Sequence, residues 1–106
     1  MAMSAQQAYA EIKDHIGKSG RLYSNWYSGI ASDPENRLFD QHHVSRKFGS
    51  WTYRQCYNSN DARKVESWLL KLGCDGNLIG GAGNLIAGDE KIIYTYAYLK
   101  SFGTEP

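Results

Sequence analysis

The chain predicts a small α/β (α+β) domain: a central three-stranded sheet flanked by helices, in the order α-β-α-β-α-β. Three observations predict it. Apolar residues recur at helical spacing in the first twenty residues and again between residues 59 and 72. Apolar and polar residues alternate in two stretches, 50–56 and 91–100. Glycines are absent from the last three of these stretches and stand only at the end of the first.

The chain has 106 residues, 42% hydrophobic and 22% charged. That is one domain, with enough apolar material for a single core and too much for a disordered chain. No apolar run is long enough to span a bilayer. Met1-Ala2-Met3-Ser4 lacks the basic and apolar regions of a signal peptide, so a cytoplasmic protein is expected. Cys56 and Cys74 show no metal-ligand spacing and are expected to be reduced thiols. With 12 basic and 11 acidic residues the net charge is +1, so any nucleic-acid contact must come from a local patch.

The first helix is expected over residues 4–17. Ser4 and Gln7 form a capping-box pattern, and Ala8, Tyr9, Ile12 and Ile16 share one face. Gly17 and Gly20 end it. A strand, or two short ones, follows from about Arg21 to Ala31. Asp33 is a good N-cap and Pro34 a good first helical residue, so a helix carrying Arg37, Leu38, Phe39 and His42 comes next. Residues 50–56 form a strand with Trp51, Tyr53 and Gln55 on one face. Ser59 or Asn60 caps the next helix, which runs to Leu72 and stops at Gly73. A glycine-rich loop leads to the last strand, Lys91 to Lys100. There Tyr94, Tyr96 and Tyr98 line one face, and Ile93, Thr95, Ala97 and Leu99 the other.

One constellation carries chemistry. Tyr27-Ser28-Gly29-Ile30 sits on a strand, and Arg37 stands ten residues after Tyr27. Glu66 lies on a later helix, about 40° from Ala62 and inside the apolar arc made with Val65 and Leu69. A carboxylate there must be paired or belong to a site. Gly29 inside a strand signals a close approach of backbone or ligand.

This order and spacing resembles the GIY-YIG nuclease family, over roughly residues 21–100, with 4–17 as an added N-terminal helix in a single domain, 1–106. The resemblance implies Mg²⁺-dependent phosphodiester cleavage of nucleic acid. It implies Arg37 on the phosphate, Glu66 on the metal, Tyr27 near the attacking water and His42 orienting water or contacting phosphate. The first signature strand, Gly-Ile-Tyr, is shortened or missing: ten residues before Tyr27 stands Gly17. Tyr23 and Tyr53 are the candidates to replace its tyrosine. Arg46, Lys47 and Arg54 are the candidate nucleic-acid contacts, and Asn77 or Asn84 a candidate closing asparagine. The loop Gly80-Gly81-Ala82-Gly83-Asn84 is a candidate backbone nest for an anion.

The chemistry suits these residue types. Arginine offers a planar donor fork to phosphate oxygens. A single carboxylate suits Mg²⁺, which keeps most of its waters. Two other readings compete. One is a catalytically degenerate scaffold acting as a binding or inhibitor protein, of the sort phages and mobile elements encode. The other is a self-associating module that uses the tyrosine-rich last strand as an open edge.

Overall fold

The structure is a computed structural model and describes residues 1–76 and 89–106. A short strand β1 (Ala2–Met3) leads into α1 (Ala5–Ser19). A 3₁₀ turn (Tyr23–Asn25) precedes β2 (Trp26–Ala31), and a π-helical turn (Asn36–Gln41) follows it. Then come β3 (Trp51–Cys56), α2 (Ser59–Leu72), a 3₁₀ turn (Asp89–Lys91) and β4 (Tyr94–Leu99).

The four strands form one mixed sheet in the order β1-β3-β4-β2. β4 pairs antiparallel with both β3 and β2, and β1 pairs parallel with β3. The expected three strands are therefore four. Ala2 and Met3 pair with Gln55 and Cys56, but two residues are too few to show an alternation in sequence. The expected α-β-α-β-α-β order is corrected in the same way, because a strand precedes the first helix. The last strand is interior, with partners on both sides, so it offers no open edge for self-association.

Both long helices pack on one face of the sheet. The period-two side chains Trp26, Cys56 and Ala97 meet Ala5, Ala8, Ile12 and Ile16 of α1 and Ala62, Val65 and Leu69 of α2. Ser4 caps α1 by accepting from the Gln7 N–H at 3.1 Å. The helix runs two residues past Gly17 and ends where Gly20 takes the left-handed conformation (φ 73°). The cap of α2 is Asn58 rather than Ser59 or Asn60; its side chain accepts from the Asp61 N–H at 2.8 Å. Strand β2 begins only at Trp26, since Tyr23–Asn25 form the 3₁₀ turn, and β4 is shorter than 91–100. Among the described residues no helix is long and apolar enough to cross a membrane.

The opposite face is covered by the segment that links β2 to β3. Leu38 and Val44 pack there against Tyr27, Ala31, Tyr96 and Tyr98. Beyond β2, the backbone of Asp75 adds one parallel bridge: the Ser28 N–H donates to its carbonyl and its N–H donates to Trp26, each at 2.8 Å.

Candidate functional site

The site is built on the face of β2 turned away from the long helices. Alternation sends Trp26 to the helical side and Tyr27 to the other. Tyr27 stacks on Tyr98 of β4, with ring centroids 5.3 Å apart at 26°. Gly29 lies directly opposite Tyr96. A Cβ at Gly29 would strike the Tyr96 phenol, coming within 2.9 Å of Cε2 and closer still to Cζ and Oη. The close approach expected at Gly29 is thus made by an aromatic ring laid over bare backbone.

That ring ends on a histidine. The Tyr96 hydroxyl lies 2.7 Å from His42 Nε2, and the Glu105 carbonyl lies 2.6 Å from Nδ1. A carbonyl can only accept, so Nδ1 carries the hydrogen and Nε2 accepts from Tyr96. The Tyr98 hydroxyl, 3.2 Å from Nδ1, accepts a share of the same hydrogen. The Glu105 N–H in turn donates to the His42 carbonyl at 2.7 Å. Burial holds the His42 pKa below the usual imidazole value, opposed by the Glu105 hydrogen bond and helped by the charges of Arg37 and His43. His42 is therefore an oriented imidazole whose charged form burial disfavours.

The π turn puts it there. The His42 N–H reaches back five residues to the Arg37 carbonyl, and the Val44 N–H six residues to Leu38. His43 then takes the left-handed region (φ 58°), which ends the turn and drops His42 onto the sheet.

Arg37 and Glu66 bear on the same phenols as charges from different elements, Glu66 from α2 on the other face of the sheet. Arg37 is half-buried and has no carboxylate partner among the described residues. Its positive charge reaches Tyr27, Tyr96 and His42. Glu66 of α2 is 3% exposed, and its Oε1 has no hydrogen-bond partner among the described residues. Burial pushes its pKa up to about 7, with Arg63 opposing. Its charge helps raise Tyr27 and Tyr96, although burial is the larger cause in both.

Residues 27, 42 and 96 are in contact, and the charge of Arg37 reaches all three while that of Glu66 reaches the two tyrosines; the five lie on four different segments. No family model, no curated protein and no solved structure matches this chain. The chemistry of the site therefore rests on its own geometry.

The other expected residues lie elsewhere. Tyr23 packs against the core on the helical side of the sheet. Tyr53, on β3, donates to Glu35 at 3.0 Å. Neither stands beside Tyr27; Tyr98 and Tyr96 occupy that place. Arg46 pairs with Glu35 at 3.2 Å and lies over the Phe39 ring at 3.9 Å. Lys47 is exposed on the same loop. Arg54 is on the opposite face, with its Nε donating to Glu11 at 2.7 Å. These three cations do not form one patch. Asn77, Asn84 and the loop 80–84 lie outside the described residues.

A separate pocket of about 520 Å³ is lined by Asp33, Glu35, Asp40, Arg46, Tyr53 and Tyr94 among others. Its acidic rim does not suit a phosphate. Sequence reasoning missed Tyr96, Tyr98 and the Glu105 carbonyl as site groups. The period-two tyrosines were a legible signal of a strand face, but nothing local tells which strand that face lies beside.

Proposed function

We propose that this chain is a GIY-YIG-like domain that cleaves phosphodiester bonds in nucleic acid with the help of a divalent metal. The observation that carries the reading is a half-buried arginine with no carboxylate partner among the described residues, whose charge bears on a buried tyrosine-histidine cluster, with a buried carboxylate, Glu66, on the helix across the sheet. A cation left without a carboxylate in a half-buried setting favours an anionic ligand, and the guanidinium fork fits phosphate oxygens.

Mg²⁺ fits what is present. Among the described residues the Glu66 Oε1 is buried and unpartnered, so a cation there would meet a free carboxylate oxygen. Among the described residues no three His, Cys, Asp or Glu side chains converge, so Glu66 would be joined by water and phosphate oxygens rather than by a protein cage. When bound, the metal supplies stabilisation of the charge on the departing oxygen. Arg37 would bind and orient the phosphate, Tyr27 would stand beside the water that attacks it, and His42 would hold the hydrogen-bond pattern around them. The two unpaired cysteines, Cys56 and Cys74, support a reducing cytoplasmic setting.

The test is a cleavage assay over single- and double-stranded DNA and RNA with Mg²⁺ titrated in. Cleavage that needs Mg²⁺ and is lost in Glu66→Gln and Arg37→Ala supports the proposal. Absence of cutting on every substrate overturns it.

A second reading is favoured by a specific observation. His42 and Tyr96 are 6% and 1% exposed, and Arg46 and Arg54 are already paired with carboxylates. A scaffold that binds a phosphate-bearing ligand or a protein partner without cutting agrees with so closed a site. It predicts binding that Arg37→Ala weakens, with no turnover.

A further inference from the structure

We infer that Tyr96 and the main-chain carbonyl of Glu105 are positioning groups for the site, clamping His42 as the neutral Nδ1–H tautomer with Nε2 turned to the last strand. This deepens the function proposed above and rests on it wherever a rate is measured.

Both ring nitrogens of His42 are engaged, each by a group of opposite kind. Glu105 accepts at Nδ1 and Tyr96 donates at Nε2. A histidine's tautomer follows from the partner of its other nitrogen, so this pair of contacts leaves one arrangement. Three further features make the clamp rigid. The Glu105 N–H returns to the His42 carbonyl, so residue 105 holds His42 at both backbone and side chain. Gly29 leaves the space that the Tyr96 phenol needs. The Tyr27 and Tyr98 rings lie against the imidazole, each with its centroid 4.9 Å away.

The consequence bears on Tyr27. Its ring packs against both His42 and Tyr98, so the orientation of the imidazole constrains that of the Tyr27 phenol. Tyr96 therefore acts through His42. Its strand pairs antiparallel with β2, which carries Tyr27.

The test has two arms. In the ¹⁵N-labelled protein, long-range ¹H–¹⁵N correlation spectra report which His42 nitrogen is protonated. The expected result is protonation at Nδ1, with an Nε2 shift displaced by its hydrogen bond and restored to an unbonded value in Tyr96→Phe. In the cleavage assay Tyr96→Phe should lower kcat by about 10- to 100-fold, the scale seen when a group that orients a metal-bound histidine is lost, with KM within about twofold. Tyr94→Phe removes a hydroxyl from the same strand outside the cluster and serves as the control. An Nε2–H tautomer in the wild type overturns the inference, as does a Tyr96→Phe rate equal to that of Tyr94→Phe. Should the wild type cut no substrate, the proposed function falls. The ¹⁵N pattern then still decides the clamp.

Discussion

Gly29 and Tyr96 face each other across the antiparallel pair of β2 and β4, and the tyrosine ring fills the space that any Cβ at position 29 would need. The contact links the two strands that carry the site. It also explains why a glycine, which weakens most strands, stands in the middle of this one.

Gly29→Ala should therefore destabilise the fold by about 1–3 kcal/mol, since either the phenol or the backbone must move. Urea denaturation gives the value. Repeated in a Tyr96→Ala background, the same substitution should cost less than about 0.5 kcal/mol. Equal costs in the two backgrounds would mean that Tyr96 is not the obstacle.

Glu66 couples stability to pH. Its carboxyl is raised from 4.5 to about 7 by burial, so the folded state holds the proton more tightly than the unfolded chain. The sign follows: the contribution is full below about pH 4.5 and is lost as pH rises through 7. The loss is on the order of 3 kcal/mol. Glu66→Gln should raise the melting temperature at pH 8, leave it near the wild-type value at pH 5, and abolish any Mg²⁺-dependent cleavage. A substitution that lowers the pH 8 melting temperature would show that the ionised carboxylate has a partner.

Arg37 should be dispensable for folding. It makes no ion pair among the described residues, so Arg37→Ala should change stability by no more than about 0.5 kcal/mol. Binding of a labelled oligonucleotide, or of inorganic phosphate read by ³¹P NMR, should fall at least about tenfold. A large loss of stability with binding intact would reverse the assignment.

The cap at Asn58 offers a check on the fold alone. Its side chain accepts from Asp61 N–H, so Asn58→Ala should cost about 1 kcal/mol in chemical denaturation. Ser59→Ala, one residue along, should not reproduce that cap loss.

Cys56 and Cys74 are buried, and burial pushes each thiol up to about 11. Neither should react with a thiol-specific disulfide reagent at pH 8 in the native protein. Both should react within the dead time in denaturant. Rapid native labelling of either would place it at the surface.

Much of this was legible from local pattern. Helical spacing of Ala8, Ile12 and Ile16, and of Ala62, Val65 and Leu69, located both long helices and the inward turn of Glu66. Period-two alternation located β3, β4 and the tyrosine face. Such patterns are legible because neighbouring residues on one helix face or strand face must share a burial class. The ten-residue step from Tyr27 to Arg37 spans a single strand and turn, so it too is local. Which strand lies against which is not a local property. The pairing of Gly29 with Tyr96 joins residues far apart in the chain, and nothing at position 29 names its partner. The two-residue β1 is too short to carry a period. The tautomer of His42 depends on a carbonyl 63 residues away, a main-chain group that every residue possesses and no sequence distinguishes. Only the folded chain, by bringing that carbonyl and the Tyr96 hydroxyl to opposite sides of one ring, decides how the histidine faces the site.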